Sequence, residues 1–198
     1  MVMLSDETLV DRTVHGDTRA YDELVLRWQH VIYNLVYRML GKEHEAEEVC
    51  QDAFTAAYLN LKNFRRESKF SSWLYRIAIN LSTSHLRKRQ RATMESLDEM
   101  QERGIPTNVD AVHWHMHART TVEDQVIEQD LARRVRRAVE KLPDDYRIVV
   151  ILKEYQGLTF KEIAEVLSIP TSTVKTRMYA GLHDMKKHLA KEGMRRAL

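Results

Sequence analysis

Hydroxyl and cationic side chains recur at helical spacing near the end of the chain. Ser172, Thr176 and Tyr179 are four and three residues apart, so on a helix they share one face. Lys175 and Arg177 flank that face on its two sides. Hydroxyls can hydrogen-bond to base edges, and cations attract phosphates. The chemistry that this pattern predicts is recognition of duplex DNA.

A second pattern mixes aromatic rings with cations between residues 62 and 91. This stretch carries nine Lys or Arg residues and one acid, and it contains Phe64, Phe70 and Trp73. Single-stranded nucleic acid stacks its bases on aromatic rings, while its backbone follows positive charge. The same rings could equally belong to the core, and we expect Trp73 to be at least partly core-supporting. Both interpretations stay open at this point.

Acidic residues cluster in the segment that starts at Glu43. Its first turns contain Glu43, Glu45, Glu47, Glu48 and Asp52, without a Lys or Arg among them. Acids near a helix N-terminus are stabilised by the helix dipole. Alternatively, they form a patch for a basic partner. Composition does not decide between these two interpretations.

Metal binding and catalysis have little support in the sequence. His113, His115 and His117 alternate, which would suit metal ligands on an extended strand better than on a helix, and no fourth ligand is near them. No phosphate loop, nucleophile elbow or zinc-binding spacing is present. We therefore expect no catalytic residue, no metal and no cofactor, and we interpret the chain as a protein that is not an enzyme.

The elements that position the first pattern are two short helices. Thr159 and Glu162 have the spacing of a capping box at the start of one helix. Residues 168–170, Ser-Ile-Pro, end it, and a second helix starts near Thr171. That second helix buries one stripe, made of Val174, Met178, Leu182 and Met185. Together they predict a helix-turn-helix, with an ordinary helical hairpin as the alternative.

The whole chain has the composition of an all-α protein. It has 198 residues, with 43% hydrophobic and 30% charged residues, and only six Gly and three Pro. Apolar residues recur with a helical period over residues 6–14, 17–40, 43–61, 73–81, 121–141 and 144–155. We expect Asp17 to cap the second helix, and Ser71 or Ser72 to cap the fourth.

Charge divides the chain, although its net charge is only +2. Residues 171–198 carry seven Lys or Arg and two acids, whereas residues 92–130 carry nine acids and two Arg. We predict two small helical domains, residues 5–91 and 123–189, joined by a flexible acidic linker over residues 92–122. The second is expected to be a four-helix domain that contains the helix-turn-helix.

Localisation signals are missing from the sequence. No apolar run approaches the roughly 20 residues of a membrane span, and the first residues lack the pattern of a signal peptide. The single Cys50 cannot form an internal disulfide, and its place on an apolar stripe favours core packing. We expect a cytoplasmic protein that is not itself a membrane protein.

Three sequence blocks resemble those of bacterial sigma factors. Residues 70–91, FSSWLYRIAINLSTSHLRKRQR, resemble the promoter-melting segment, and residues 45–64, EAEEVCQDAFTAAYLNLKNF, resemble the polymerase-binding helix that precedes it. Residues 142–189 resemble the C-terminal helix-turn-helix domain. The order and separation of the blocks are most similar to the extracytoplasmic-function group, group 4 of the sigma-70 family, which keeps only these two domains.

The resemblance implies promoter-specific transcription initiation with core RNA polymerase. The first domain would bind the clamp helices of the large subunit through Glu47, Glu48, Gln51, Asp52 and Phe54. It would also capture the melted minus-10 strand of promoter DNA, with one base flipped into the loop 65–71. The minus-10 residues would be Arg65, Lys69, Phe70, Trp73, Arg76, Asn80, Ser84 and Arg87. The second domain would meet the polymerase flap and read the minus-35 element as duplex. The minus-35 residues would be Ser172, Thr173, Lys175, Thr176, Arg177 and Tyr179.

The resemblance also implies further partners, and this chain departs from the family pattern at one position. Many relatives have an Arg where this chain has Ala180, so one DNA contact would be missing. An anti-sigma factor, free or membrane-bound, is an expected partner, and the acidic linker would mimic RNA inside the polymerase. The polymerase-bound chain would be associated with the nucleoid in a stress response. The main alternative is a helix-turn-helix regulator that binds duplex DNA without joining polymerase; a helical protein-binding adaptor is a further one.

Overall fold

The computed structural model describes residues 4–65, 67–100 and 122–191. Within these ranges every regular element is a helix, which confirms the all-α prediction. The eight α-helices are α1 (Asp6–Val14), α2 (Thr18–Leu40), α3 (Glu43–Asn60), α4 (Phe70–Met100), α5 (Val122–Glu140), α6 (Asp144–Val150), α7 (Phe160–Leu167) and α8 (Thr171–Lys191). No helix among these residues is both long and apolar enough to cross a membrane.

The N-terminal unit consists of α1 to α4 around one apolar core. Helix α2 packs against the other three helices of the unit. Its apolar positions recur every three or four residues, so that Leu24 and Leu35 are fully buried together with Ala53 of α3 and Leu74 of α4. A buried hydrogen bond from the Tyr21 hydroxyl to the Phe54 carbonyl, 2.5 Å long, fixes α2 against α3.

Of the two predicted helix caps, one lies at its predicted position and the other is wrong. Asp17 occupies the N-cap position of α2, although its side chain forms no capping hydrogen bond. Its carboxylate instead pairs with Arg12, Nη2 to Oδ2 at 2.6 Å, because a charged partner from α1 lies within reach. Helix α4 begins at Phe70, so neither Ser71 nor Ser72 caps it, and the side chain of Ser72 is buried.

Helix α4 also extends further than the predicted domain boundary. It continues from Phe70 to Met100, past the boundary at residue 91, so the start of the predicted linker is helical. Residues 101–121, with the three alternating histidines, lie outside the described residues. The flexibility of that part of the linker and any role of its histidines therefore stay predictions.

The C-terminal unit consists of α5 to α8 and contains the predicted helix-turn-helix. Helix α6 continues as one π-helical turn over Ile151–Tyr155, and the chain then reverses at Gly157, whose φ is +66°. Helix α7 starts with the predicted capping box: the Thr159 hydroxyl accepts from the Glu162 amide at 3.2 Å, and the Glu162 carboxylate accepts from the Thr159 amide at 3.0 Å. Helix α7 ends at Ser168, in the left-handed conformation.

Helix α8 approaches α6 closely at one glycine. A Cβ atom on Gly181 would lie 3.0 Å from a methyl carbon of Val150 and 3.4 Å from the Cβ of Tyr146. A side chain at position 181 would require Val150 or its neighbours to shift by a few tenths of an ångström. Val174, Met178 and Met185 of the predicted stripe are buried, and Leu182 is half-buried.

The two units pack directly on one another. The guanidinium of Arg147 in α6 donates to the Met39 carbonyl at the end of α2, at 3.0 Å, and also pairs with Asp144. The Arg38 guanidinium lies 4.2 Å from the ring centre of Tyr155. Helix α7 packs against α4, so the helix-turn-helix lies beside the helix that carries the aromatic-basic segment.

Candidate nucleic-acid interface

The outer face of α8 presents the polar residues that the sequence pattern predicts. Ser172, Lys175, Thr176 and Tyr179 are exposed, with Tyr179 at 64%. Thr173 is half-buried. Because the apolar stripe of α8 faces α6 and α7, this face remains open to a ligand from outside.

The two cations that flank this face have different surroundings. The Arg177 guanidinium forms an ion pair with Asp145 at the start of α6, Nη2 to Oδ2 at 2.6 Å. Lys175 is exposed, and its ammonium lies 6.0 Å from the ring centre of Phe160. Asp145 was not among the predicted site residues; it is 32 residues away from Arg177, and no local pattern connects the two.

Three aromatic rings support the loop that precedes α4. Phe64 and Trp73 have ring centres 5.1 Å apart, and Phe70 lies 6.2 Å from Phe64 and 6.0 Å from Trp73. Phe70 is only 1% exposed, so its predicted stacking on a DNA base does not fit this placement. The Phe70 ring instead packs in the core, where its burial stabilises the first turn of α4. Trp73 is half-buried, and its remaining surface faces a cavity.

This cavity lies at the N-terminal end of α4. It has a volume of about 360 Å³. It is lined by Asn63, Phe64, Arg65, Glu67, Ser68, Trp73, Arg76 and Glu165. Four of these residues, Arg65, Trp73, Arg76 and the ring of Phe64, belong to the predicted aromatic-basic segment, so the fold brings cations and rings together around one opening.

A row of polar side chains continues from the cavity along α4. Asn80, Ser84 and Arg87 follow Arg76 at intervals of four, four and three residues, and all three are exposed. This spacing places them along one side of the helix. A ligand that enters the cavity could therefore extend along α4.

Helix α7 of the C-terminal unit contacts two of the predicted minus-10 residues, which belong to the N-terminal unit. The Lys69 ammonium pairs with the Glu162 carboxylate at 3.0 Å, and the Arg76 guanidinium donates to the carbonyls of Glu165 at 2.6 Å and Val166 at 3.2 Å. The Thr159 amide and then Lys69 lower the pKa of Glu162 to about 2. Glu165 was missed by the sequence analysis, because nothing local indicates that α7 reaches the cavity.

The acidic face of α3 borders a groove. Glu47, Glu48, Gln51 and Asp52 are exposed, whereas Phe54 is 9% exposed. The groove lies between α2 and α3 and has a volume of about 940 Å³. It is lined by Thr18, Tyr21, Asp22, Val25, Gln29, His30, Tyr33, Glu43, Glu47, Cys50, Gln51, Phe54, Thr55 and Tyr58.

The groove combines an apolar floor with an acidic rim. Its aromatic rings come from Tyr21, Tyr33, Phe54 and Tyr58. Its negative charge comes from Glu43 and Glu47. Burial raises the pKa of the Cys50 thiol to about 11, so it remains a thiol in the wall of the groove. The contribution of α2 was missed by the sequence analysis, since its aromatic residues have the spacing of ordinary core positions.

Comparison with protein families identifies two regions of the chain. The Sigma-70 region 2 family matches residues 24–92. The Sigma-70 region 4 family matches residues 132–185. The first match contains most of the groove and the aromatic-basic segment, and the second contains α7 and most of α8.

Relatives match along most of the chain. It is 38% identical to the ECF RNA polymerase sigma factor SigW of Bacillus subtilis over 174 residues, which are 88% of this chain and 91% of that protein. It is 36% identical to the RNA polymerase sigma-H factor of Pseudomonas aeruginosa over 188 residues, 93% of each chain. Among solved structures, the sigma factor RpoE in complex with the anti-sigma factor NepR from Bartonella quintana matches with a TM-score of 0.65 and 21% identity, covering 86% of this chain and 96% of that one. This last likeness concerns the fold.

Proposed function

The chain belongs to the sigma-70 family, as an extracytoplasmic-function RNA polymerase sigma factor, and on that premise we propose a distinct task for each of its three surfaces. Membership in this family favours a polymerase-associated initiation factor over the alternative of a lone DNA-binding regulator. The observation that carries the assignment is the presence, in one chain, of an open polar helix face, a ring-and-cation cavity and an acid-rimmed groove.

The exposed face of α8 reads the minus-35 element as duplex DNA. Ser172, Thr176 and Tyr179 supply hydrogen-bonding groups for base edges, and Lys175 supplies a cation for phosphate. Helix α8 is the second helix of the motif, which is the one that enters the major groove in helix-turn-helix proteins. Arg177 and Thr173 lie at the edge of this face and complete the contact.

The cavity at the start of α4 receives a flipped base of the minus-10 strand. Its volume of about 360 Å³ is sufficient for one base, the half-buried ring of Trp73 offers a stacking surface, and Arg65 and Arg76 offer hydrogen-bond donors. Flipping costs a few kcal/mol of unstacking, which stacking and hydrogen bonds in the pocket must offset. The neighbouring strand then follows Asn80, Ser84 and Arg87 along α4.

The groove between α2 and α3 binds core polymerase. The apolar floor of the groove fits a packed helix surface. Glu47 on its rim, together with the exposed acids Glu48 and Asp52 elsewhere on α3, fits a basic partner. Opposite charges at such a contact raise the encounter rate and set the orientation more than they raise affinity. We assign the clamp helices of the large subunit to this groove, with the flap contacting the C-terminal unit.

The remaining assignments follow from this function. Residues 92–122 thread through polymerase with their negative charge facing the path of RNA, and an anti-sigma factor holds the chain when its target genes are silent. Polymerase and promoter DNA lie in the cytoplasm, where the chain joins the nucleoid as part of the holoenzyme.

Transcription in vitro tests the proposal directly. The purified chain is added to sigma-free core polymerase with a pool of promoter fragments, and the start sites of the transcripts are sequenced. We expect starts that share two sequence elements upstream. Binding to duplex fragments without any initiation would contradict the proposal and support the lone regulator.

Matched variants separate the surfaces. Lys175→Ala should weaken minus-35 duplex binding and leave core binding intact, whereas Lys186→Ala removes an equal charge from the far end of α8 and should change neither. Glu47→Lys should weaken association with core, whereas Glu7→Lys makes the same charge change on α1. Equal effects within either pair would contradict the corresponding surface.

A further inference from the structure

Glu45 lies in the acidic cluster at the start of α3 but differs from its neighbours. Glu47 and Glu48 are exposed, whereas the side chain of Glu45 is only 16% exposed. Two positions on a helix are about 200° apart around its axis, so Glu45 and Glu47 point to nearly opposite sides of α3. Glu47 lines the groove, and Glu45 contacts α4. The acidic cluster therefore serves two different surfaces.

Three basic side chains converge on the carboxylate of Glu45. The Lys42 ammonium donates to Oε1 at 2.9 Å, and the Arg89 guanidinium donates to Oε2 at 2.8 Å. The His85 Nε2 atom lies 3.2 Å from the same Oε2. Burial raises the pKa of Glu45, but the hydrogen bond from Lys42 and the charge of Arg89 lower it by more, so it lies below its ordinary value. The group is therefore an ionised carboxylate that joins α3 to α4.

Arg89 connects this carboxylate to α2 as well. Its Nη1 atom also donates to the carbonyl of Leu40, the last residue of α2, at 3.2 Å. A carbonyl at a helix end has no partner in its own helix, so Arg89 stabilises this end while it holds α4 to the corner between α2 and α3. Leu86 is the last buried side chain of α4 among those that the structure describes. The attachment thus lies where α4 leaves the core.

The attached side chains alternate with the row of polar residues proposed to bind the strand. Ser84 and Arg87 are exposed and belong to that row, whereas His85 and Arg89 are half-buried and face α3. We infer that Glu45 is a positioning residue for the minus-10 strand, which fixes the second half of the row by holding His85 and Arg89 on the side of α4 that faces α3. The inference rests on the proposed assignment of Ser84 and Arg87, and it takes Glu45 out of the contact with polymerase.

The sign of the effect separates positioning from charge. Removing an acid makes the chain more positive, which by itself strengthens binding to any nucleic acid. Removing Glu45 also releases this part of α4, so the groups of the row are no longer held at one geometry and must be ordered by the strand itself. Positioning therefore predicts weaker binding of single-stranded DNA, where charge alone predicts stronger binding.

Glu45→Ala tests this sign in the full chain. The variant is titrated with a pool of single-stranded oligonucleotides of randomised sequence and with the same pool as duplex. We expect the ratio of single-strand to duplex affinity to fall about three- to tenfold, since part of the energy of a charge-assisted hydrogen bond is lost to the row. Association with core polymerase should stay unchanged. An unchanged or higher ratio would overturn the inference.

An acid outside this contact provides the matched control. Glu154→Ala removes an exposed acid from the C-terminal unit and should not lower the ratio. If Glu45→Ala instead weakens core association as strongly as it weakens strand binding, Glu45 belongs to the polymerase surface and the inference is wrong.

A double substitution tests the partner of Glu45. Arg89→Ala should lower the ratio in the same direction, and because both changes break one contact, the double variant should be no weaker than the more affected single variant. Losses that add would overturn the role of Arg89. Glu45→Gln keeps an acceptor oxygen without the charge, so its ratio should lie between those of Glu45→Ala and the original chain. Where Glu45→Ala does not fold, a Glu45→Gln ratio equal to that of the original chain overturns the inference.

Arg87→Ala separates this inference from the assignment on which it rests. Arg87 belongs to the row itself, so its loss should lower the ratio whatever Glu45 does. If Arg87→Ala has no effect, the minus-10 assignment is wrong. If Arg87→Ala lowers the ratio and Glu45→Ala does not, only the positioning by Glu45 is wrong.

Discussion

A single carboxylate distinguishes the two cations at the edge of the minus-35 face. Asp145 holds the Arg177 guanidinium at 2.6 Å, and its own side chain is 63% exposed. Lys175 is exposed, and its ammonium lies 6.0 Å from the ring centre of Phe160. A cation that is already paired contributes less to phosphate binding, because the strand must compete with the carboxylate. On the proposed minus-35 assignment, Asp145 therefore competes with a DNA phosphate for Arg177.

Neutralising this carboxylate should strengthen duplex binding. In Asp145→Asn, Arg177 becomes free to neutralise one more phosphate, and the slope of log affinity against log salt should become steeper by about 1. Titration of labelled duplex over a range of salt concentrations measures this slope. Asp184→Asn also removes one negative charge, from a carboxylate 3.8 Å from Lys187 on α8, and serves as the control. An equal slope in both variants would show that only net charge matters.

Individual residues were also where sequence reasoning failed. The hydroxyls and cations of α8 were predicted from their spacing alone, because one helix fixes their relation to one another. The partners of Arg177 and Arg76 come from other helices, and no local pattern encodes them. Phe70 shows that residue type alone does not decide a role. An aromatic residue beside cations suggests stacking on a base, yet this ring is buried in the core of the N-terminal unit.

At the scale of elements, α7 depends on one glutamate for two tasks. Glu162 closes the capping box with Thr159 and also pairs with Lys69 of the other unit. The Thr159 amide and the Lys69 ammonium both favour the ionised form, which is why its pKa falls from 4.5 to about 2. The carboxylate thus links the start of the helix-turn-helix to the surface beside it.

The stabilisation by Glu162 should disappear in acid. A carboxyl with a lowered pKa in the folded state contributes stability above its ordinary pKa of 4.5, and this stability is lost as the pH falls through that value toward 2. Glu162→Gln keeps an acceptor for the Thr159 amide and removes the charge. We expect the variant to be less stable by up to about 1 kcal/mol at pH 7, since the pair is partly exposed to solvent, and the difference to shrink as the pH falls to 2.

Thermal unfolding of both chains between pH 7 and pH 2 measures the difference. Glu165→Gln provides the comparison, because Glu165 lies on the same helix and contacts Arg76 through its main-chain carbonyl. A difference between Glu162→Gln and the original chain that does not change with pH would contradict the role given to the charge.

Helix starts and ends were predictable where the signal is local. The capping box of α7 follows from residue types at fixed offsets, and it is confirmed. The π-helical turn at 151–155 and the close approach at Gly181 were not predicted. Both depend on how α6 and α8 fit together, which a periodic pattern of apolar residues does not specify.

At the scale of the whole molecule, Arg147 joins the two units. Its guanidinium satisfies the Met39 carbonyl at the end of α2 and pairs with Asp144, and its side chain is only 13% exposed. The last carbonyls of a helix lack partners within the helix, so a donor from another unit stabilises this end. Removing the donor takes this hydrogen bond from the Met39 carbonyl and this ion pair from Asp144.

The loss of Arg147 should uncouple the units. We expect the original chain to unfold in one calorimetric transition and Arg147→Ala to unfold in two, because the units then no longer stabilise one another. Arg137→Ala, an exposed arginine of α5, is the control and should keep a single transition. A single transition in the Arg147 variant, at whatever temperature, would show that other contacts suffice.

The sequence predicted two helical units but not that they touch. Charge and periodicity divide the chain at the acidic segment, and such a division suggests lobes that move independently. The contacts made by Lys69, Arg76 and Arg147 with the opposite unit join residues that are about 90 to 110 positions apart, as with Lys69 and Glu162 at a separation of 93. Contacts at this distance in sequence follow from the packed fold, which is why they were absent from the prediction.

The length of α4 bears on the geometry of the promoter. Its 31 residues extend for about 45 Å at 1.5 Å per residue, from the loop at Phe70 to Met100. The span between the two units is thereby shortened to residues 101–121, whose fully extended length is at most about 70 Å. As one continuous helix, α4 sets where this span begins. The number of base pairs between the two promoter elements should thus be restricted by the angle of α4 as well as by the length of the connecting chain. Shifting the minus-35 element by half a helical turn of DNA would place it on the side of the duplex that faces away from α8.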